Sequence, residues 1–155
     1  MNKNSKAIAN TINWQNTLPK KRMGAGAIIF NGKGQLLLVK PTYKDHWSYV
    51  GGVVDANESP KEALVREVRE EIGLEISNFD FVCVGYYHDS PENTESLQFK
   101  FTTSPLTEMQ INNIRLDAKE LEAYKFVSED EAKQLLTPKS YETLQKCLTA
   151  IHKNK

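Results

Sequence analysis

Hydrophobic residues occur in short runs along most of the chain, and these runs predict strands. Apolar residues are nearly continuous over 24–30 and 35–39, which is typical of strands buried on both faces. The turn sequence at 31–34 lies between them and predicts a β-hairpin. Similar runs predict three more strands, over 79–87, 97–103 and 124–127. A polar loop over 88–96 separates the first two of these strands.

A helical pattern over 59–72 interrupts the strands. Ser59 is the predicted N-cap, Pro60 takes the first helical position and Glu62 completes a capping box. Gly73 is a natural C-terminal stop. One stripe of apolar positions predicts the face that packs on the core: Leu64, Val65, Val68 and Ile72.

Two more helices are predicted after the last strand. Ser128 and Glu131 form a second capping box, and a final helix opens at Pro138. The order of strands and helices favours an α/β fold in which a mixed sheet packs between helices. The polar residues 1–20 are predicted to be an N-terminal arm, either loose or forming an extra edge element, ahead of a single domain over 21–155.

Composition limits the classes of partner. The 155 residues are 39% hydrophobic and 26% charged, which suits one soluble domain. Lys and Arg number 20, as do Asp and Glu, so no overall positive field attracts DNA. Cys83 and Cys147 are not spaced as a metal or redox pair, and no apolar run reaches membrane length. The first residues are not expected to form a signal peptide. These features predict a reduced, cytoplasmic protein with no membrane partner.

Three carboxylates share one face of the predicted helix. Glu67, Glu70 and Glu71 stand at positions i, i+3 and i+4, where like charges repel. A divalent cation such as Mg²⁺ would neutralise them, because hard cations prefer oxygen ligands. A solvated acidic face is the alternative, and the helix alone leaves both open.

The residues that flank the acidic helix favour the metal site. From Gly52 to Leu74 the chain matches the pattern G-x5-E-x7-R-E-U-x-E-E-x-G-U, where U is aliphatic, at each specified position. This stretch resembles the Nudix box, and its fixed spacing makes the match specific. The resemblance extends over roughly residues 22–150. One departure is Val50, because many members of the family have Pro before the two glycines.

The resemblance implies a fold, a reaction and a set of ligands. The fold is an α/β/α sandwich with a mixed central sheet, and the family hydrolyses a nucleoside diphosphate linked to another moiety. The metal, Mg²⁺ or Mn²⁺ in its place, would be bound by a glycine carbonyl and three carboxylates that also act in catalysis: Gly51, Glu67, Glu70 and Glu71. Three further box residues would support the site: Gly52, Glu58 and Arg66.

Residues outside the box have weaker signals. Glu120 is the favoured general base, because it precedes the strand at 124–127 where many relatives place such a residue, and Glu122 and Glu95 are its rivals. Lys44 and Lys100 are additional cations that could meet phosphate. Four residues are predicted to contact substrate: Arg22, Lys40, Trp47 and Tyr49.

The function predicted from these features is Mg²⁺-dependent cleavage of a diphosphate linkage. The substrate is expected to be a small phosphorylated molecule that contains a nucleotide, such as a nucleotide sugar or a nucleoside triphosphate. A non-catalytic nucleotide-binding regulator and an RNA 5′-end pyrophosphohydrolase are the alternatives. Specificity is expected from the loops at 43–49, 88–96 and 104–122, and the arm at 1–20 could contribute to a homodimer interface.

Overall fold

The computed structural model of the chain describes residues 2–89 and 94–153, and within these ranges it contains five helices and six strands. None of these helices combines the length and the apolarity that crossing a lipid bilayer requires. In chain order the elements are α1 (Lys3–Thr17), β1 (Arg22–Ile28), β2 (Leu36–Pro41), β3 (Val50–Val53), α2 (Pro60–Ile72), β4 (Asp80–Asp89), β5 (Thr94–Thr102), α3 (Glu108–Asn112), β6 (Leu121–Val127), α4 (Glu129–Leu135) and α5 (Pro138–Lys153).

Strand β1 lies at the centre of a four-stranded mixed sheet. It pairs antiparallel with β3 and parallel with β5, and β4 completes the order β3-β1-β5-β4. Strands β2 and β6 form a separate antiparallel pair. The predicted mixed sheet is therefore confirmed, although the six strands divide between two sheets.

The hairpin predicted between β1 and β2 is correct at its turn and wrong for the strands. The Asn31 amide donates to the Gln35 carbonyl over 3.0 Å, and Phe30 pairs with Leu36. Beyond this point β2 turns away and pairs with β6. Strand β2 is buried on both faces, as predicted, so Leu37 packs in one hydrophobic cluster and Leu38 in the other. Strand β6, the partner of β2, also contributes residues to both clusters.

Helix α2 has the ends that the sequence predicts. The Ser59 hydroxyl accepts from the Glu62 amide, and the Glu62 carboxylate accepts from the Ser59 amide. Gly73 ends the helix in the left-handed conformation, with φ 71°. The predicted apolar stripe, including Leu64 and Val68, packs in the cluster that also contains Ala25, Ala27 and Val50, with Val65 only partly buried.

Helices α4 and α5 cover the opposite face of the sheets. Ala132 of α4 and the α5 residues Leu144 and Cys147 are buried in a second cluster with Ile28 and Leu38. The free Cys83 thiol approaches that of Cys147, and the two Sγ atoms are 3.3 Å apart. The chain thus has three layers, with α2 on one side of the strands and α4 and α5 on the other.

Three segments differ from their predicted structure. Residues 3–17 form a helix, not a loose arm or an edge strand, because Asn2 caps its start and Ile8 and Ile12 fall on one side, although no residue of α1 is buried. The predicted loop at 104–122 contains α3. Strands β4 and β5 extend into the predicted loop at 88–96, whose residues 90–93 lie outside the described residues.

Replacing Gly73 by alanine should destabilise the fold by about 1–2 kcal/mol, because a Cβ is disfavoured at positive φ and would lie 3.2 Å from Cβ of Arg115. Gly32→Ala is the matched control, since its Cβ would meet nothing within 4 Å. Urea unfolding of both variants measures the difference. Equal free energies of unfolding would contradict this account of the helix end.

Candidate active site

The end of α2 and the double glycine of β3 are in direct contact. The Gly51 amide donates to Oε2 of Glu71 over 2.8 Å, and the Glu71 side chain is buried. A Cβ on Gly52 would lie 2.4 Å from Oε1 of Glu67. Gly51 has φ 139°, and its Cβ would lie 2.1 Å from the Ala25 carbonyl oxygen. Both glycines are therefore required by the close approach of the carboxylates and of β1.

Arg66 connects the predicted supporting glutamate to the predicted ligands. Its Nε and Nη2 donate to the two carboxylate oxygens of Glu58 over 2.8 and 3.0 Å. Its Nη1 donates to Glu67 over 2.7 Å and to Glu70 over 3.2 Å. The hydrogen bonds from Arg66, with one from the Asp55 amide, lower the pKa of Glu58 to about 2. Arg66 is thus anchored by a forked ion pair with Glu58 and orients Glu67 through a single hydrogen bond from Nη1.

Negative charge is concentrated on the buried side of α2. Burial raises the pKa of Glu71 to about 7, opposed by the Gly51 hydrogen bond and reinforced by the charges of Glu67 and Glu120. Burial also raises the pKa of Glu67, against the effect of Arg66. By contrast, the Glu70 side chain is 51% exposed. Glu71 and Glu67 are therefore the carboxylates with the greatest need for a positive partner.

Glu120 is the predicted general base that the fold brings to this cluster. Its backbone carbonyl accepts from the Thr42 amide over 2.8 Å, and its charge acts on both Glu67 and Glu71. The rival Glu122 lies 3.9 Å from the ammonium of Lys40. The other rival, Glu95, pairs with Lys21 and accepts a hydrogen bond from the Tyr86 hydroxyl.

The donor set fits a divalent cation in its chemistry. Three carboxylates, Glu67, Glu71 and Glu120, repel one another electrostatically, and oxygen donors of this kind suit Mg²⁺. Across residues 2–89 and 94–153, no three acidic, His or Cys side chains are oriented to enclose an ion. In this arrangement Glu67 faces Arg66 and Glu71 faces the Gly51 amide.

Two of the four predicted substrate residues lie together, and two lie elsewhere. Arg22 and Tyr49 line a polar pocket of about 320 Å³ on the sheet face opposite α2. Lys40 does not line it, and its ammonium donates to the backbone carbonyl of Lys44. Trp47 is partly buried and packs against the second hydrophobic cluster. The predicted substrate contacts of all four residues stay predictions.

The same pocket contains residues that the sequence analysis did not select, notably Gln98 and Lys139, beside the weakly signalled Lys44 and Lys100. An alternation in β5 could have revealed part of this set. Polar Ser96, Gln98 and Lys100 alternate with apolar residues, which places them on one face of the strand. A larger cleft of about 800 Å³, lined by Phe30 and Leu148 among others, contains none of the predicted site residues.

The NUDIX domain model matches residues 20–147. This match covers most of the chain, including α2, the double glycine and the polar pocket. The protein therefore belongs to the NUDIX domain family, as the box predicted.

Curated relatives match over a shorter length. The chain is 44% identical over 57 residues to an RNA pyrophosphohydrolase of Hydrogenovibrio crunogenus, covering 37% of this chain and 34% of that protein. It is 45% identical over 53 residues to the one of Halorhodospira halophila, covering 34% and 29%. The chain thus spans about a third of the length of the curated relatives it matches.

Solved structures match over nearly the whole chain. The MutT protein from Methanosarcina mazei Go1 has a TM-score of 0.70 at 23% identity, covering 90% of this chain and 99% of that one. The NUDIX domain of Shewanella oneidensis NrtR, complexed with ADP ribose, has a TM-score of 0.72 at 15% identity and covers 100% of both chains. These similarities confirm the predicted fold.

The raised pKa of Glu71 should make the metal-free protein less stable as pH rises. Its pKa is about 7 in the folded protein and 4.5 ordinarily, so folding favours the protonated form. The resulting stability is complete below pH 4.5 and is lost as pH rises through 7, a loss of about 3 kcal/mol. Glu71→Gln should lack this loss.

Urea unfolding in chelator at pH 5 and pH 8 measures the effect for both proteins. Added Mg²⁺ at pH 8 should stabilise the wild type more than Glu71→Gln, since the cation neutralises the buried carboxylate. The same pH dependence in both proteins would contradict the assignment of the shift to Glu71.

Proposed function

We propose that the protein is a Mg²⁺-dependent hydrolase that cleaves a diphosphate linkage in a nucleoside diphosphate derivative. The observation that carries this proposal is Glu71, a buried carboxylate whose pKa is raised to about 7 and which faces Glu67 and Glu120. Buried like charges destabilise a fold unless a cation neutralises them. The burial of Glu71 beside the charges of Glu67 and Glu120 supports a metal-dependent function.

Glu67, Glu70, Glu71 and the carbonyl of Gly51 would hold Mg²⁺, or Mn²⁺ in its place. When bound, the ion polarises the phosphoryl group and lowers the pKa of an attacking water. The protein supplies the geometry: the Gly51 amide holds one oxygen of Glu71, and Arg66 holds one oxygen of Glu67. The other oxygens of these two carboxylates would be available to a cation.

Glu120 is the proposed general base. Its side chain is exposed to solvent, unlike that of Glu71, so it can accept a proton from water at a carboxylate oxygen. Its backbone is held on both sides, because its amide donates to the Asp117 carbonyl and its carbonyl accepts from the Thr42 amide. This support fixes the backbone that carries the carboxylate.

The polar pocket is the proposed place for the rest of the substrate. Lys44 lines this pocket and also lies close enough to Glu71 to lower its pKa. A substrate whose diphosphate meets the carboxylate cluster can therefore extend past Lys44 towards Arg22 and Tyr49. A nucleotide sugar or a nucleoside triphosphate has the required combination of diphosphate and attached moiety.

An RNA 5′-end pyrophosphohydrolase is the second candidate function. The names of the curated relatives favour it, although the match covers 37% of this chain and 34% of the first relative. Such a partial match supports shared chemistry at the diphosphate more than a shared substrate. A non-catalytic regulator is disfavoured, because each box carboxylate is present.

Wild type should release products from at least one member of a substrate panel in the presence of Mg²⁺. The panel contains ADP-ribose, another nucleotide sugar, nucleoside triphosphates, a dinucleoside polyphosphate and 5′-triphosphorylated RNA. Mass spectrometry after reaction in ¹⁸O-labelled water identifies the bond that is cleaved. Glu71→Gln should lower turnover by about 100-fold or more, because it removes a ligand charge.

Glu75→Gln is the matched control, since Glu75 is exposed just beyond α2, and it should retain wild-type turnover. Equal turnover by wild type and Glu71→Gln would overturn the proposed function. Tight nucleotide binding without hydrolysis across the panel would instead support the regulator.

A further inference from the structure

The polar pocket exists because glycines of β1 lie beside polar residues of the neighbouring strand β5. Gly26 of β1 pairs with Lys100 of β5, and Gly24 pairs with Gln98. A Cβ on Gly26 would lie 2.8 Å from Nζ of Lys100, and one on Gly24 would lie 2.4 Å from Oε1 of Gln98. The glycines therefore leave room for two polar side chains to lie across β1.

Lys100 is an unusual residue for the interior of a domain. It is 8% exposed, and its ammonium lies 4.8 Å from the ring centroid of Tyr49. Among the described residues no carboxylate forms an ion pair with it, and the titratable groups that act on it are the thiols of Cys83 and Cys147. Burial lowers the pKa of Lys100. A buried ammonium without an anion is costly to folding.

The surroundings of Lys100 add further positive charge. Arg22, Lys44 and Lys139 also line the pocket, and no acidic residue of the described ranges does. The ammonium of Lys139 lies over the Tyr87 ring, 4.5 Å from its centroid. The first turn of α5 borders the same space, and the positive end of a helix dipole favours anions.

The pocket and the carboxylate cluster adjoin the same three strands of the sheet. Gly51, Gly26 and Lys100 are neighbours across β3, β1 and β5, which corresponds to about 10 Å between the outer backbones. Lys44 contributes to both regions, since it lines the pocket and acts on Glu71.

We propose that Lys100, together with Arg22 and Lys44, binds a phosphate group on the part of the substrate remote from the scissile linkage. The pocket offers ammonium, guanidinium, amide and hydroxyl donors, the groups that bind phosphate oxygens. An uncharged nucleobase would leave the buried ammonium uncompensated. The substrate class is a diphosphate compound that carries a further phosphate. Phosphate binding by the pocket does not depend on the proposed function, but the description of the ligand as a substrate rests on it.

Binding of inorganic phosphate to the full-length protein in chelator tests the pocket separately from catalysis. Without a divalent metal the carboxylate cluster repels phosphate, so binding measured by calorimetry at constant ionic strength reports the cationic pocket. Wild type should bind. Lys100→Met should weaken binding by about tenfold or more, because it removes a charged donor. Lys33→Met removes the same charge from the exposed turn after β1 and should bind as wild type does.

Two further measurements distinguish a ligand-binding role from a structural one. Lys100→Met should unfold at an equal or higher urea concentration than wild type, since it removes an uncompensated buried charge. Gly26→Ala keeps the charge but places a methyl group where the Lys100 ammonium lies, and it should also weaken phosphate binding. Absence of phosphate binding by wild type, or unchanged binding by both variants, would overturn the proposal even if the enzyme hydrolyses diphosphates.

Two probes distinguish the sources of the phosphate. Adenosine 3′-monophosphate carries a phosphomonoester, and the dinucleotide ApA carries the phosphodiester of a nucleic acid chain. Tighter binding of the first than of adenosine, in chelator, would support a small nucleotide with an additional phosphate. Tighter binding of ApA would support an RNA 5′ end, whereas equal binding of all three would overturn the proposal.

Discussion

The hydrogen bond from the Gly51 amide to the Glu71 carboxylate, 2.8 Å long, joins the central sheet to α2 where the site is assembled. It requires α2 to lie close to β3, and the buried contacts of Leu64 and Val68 hold it there. The same closeness excludes a side chain at position 52, where a Cβ would meet Glu67, whereas the backbone of β1 excludes one at position 51. The same few residues therefore determine both the packing of α2 on the sheet and the positions of the carboxylates. A substitution that alters the packing would also displace the carboxylates.

The distribution of charge, and not its total, determines what the molecule can bind. Lys and Arg equal Asp and Glu at 20 each, yet one end of α2 gathers carboxylates and the pocket on the other sheet face gathers cations. Lys44 lies between the two regions. A substrate with phosphates at separated positions would satisfy both, with a divalent cation at the carboxylates and direct contacts at Lys100.

Local signals predicted the carboxylate half of the candidate site, because Gly51, Glu67 and Glu71 lie close together in sequence. The capping box at Ser59, the stop at Gly73 and the glutamate spacing all act within one helix and its preceding loop. The pocket depends instead on the parallel pairing of β1 with β5, which brings Gly26 beside Lys100 across a long crossover. A single sequence does not encode that register in any short pattern, and the same limit explains why β2 was assigned the wrong partner.

Anomalous X-ray diffraction from crystals soaked in Mn²⁺ tests most directly whether the end of α2 is a divalent-metal site. The expected result is an anomalous peak bound by carboxylate oxygens of both Glu67 and Glu71, at about 2.1–2.2 Å as for small hard cations. Phosphate-free crystals keep other anions from recruiting the ion. A peak only at the exposed Glu70, or none on α2, would contradict the account.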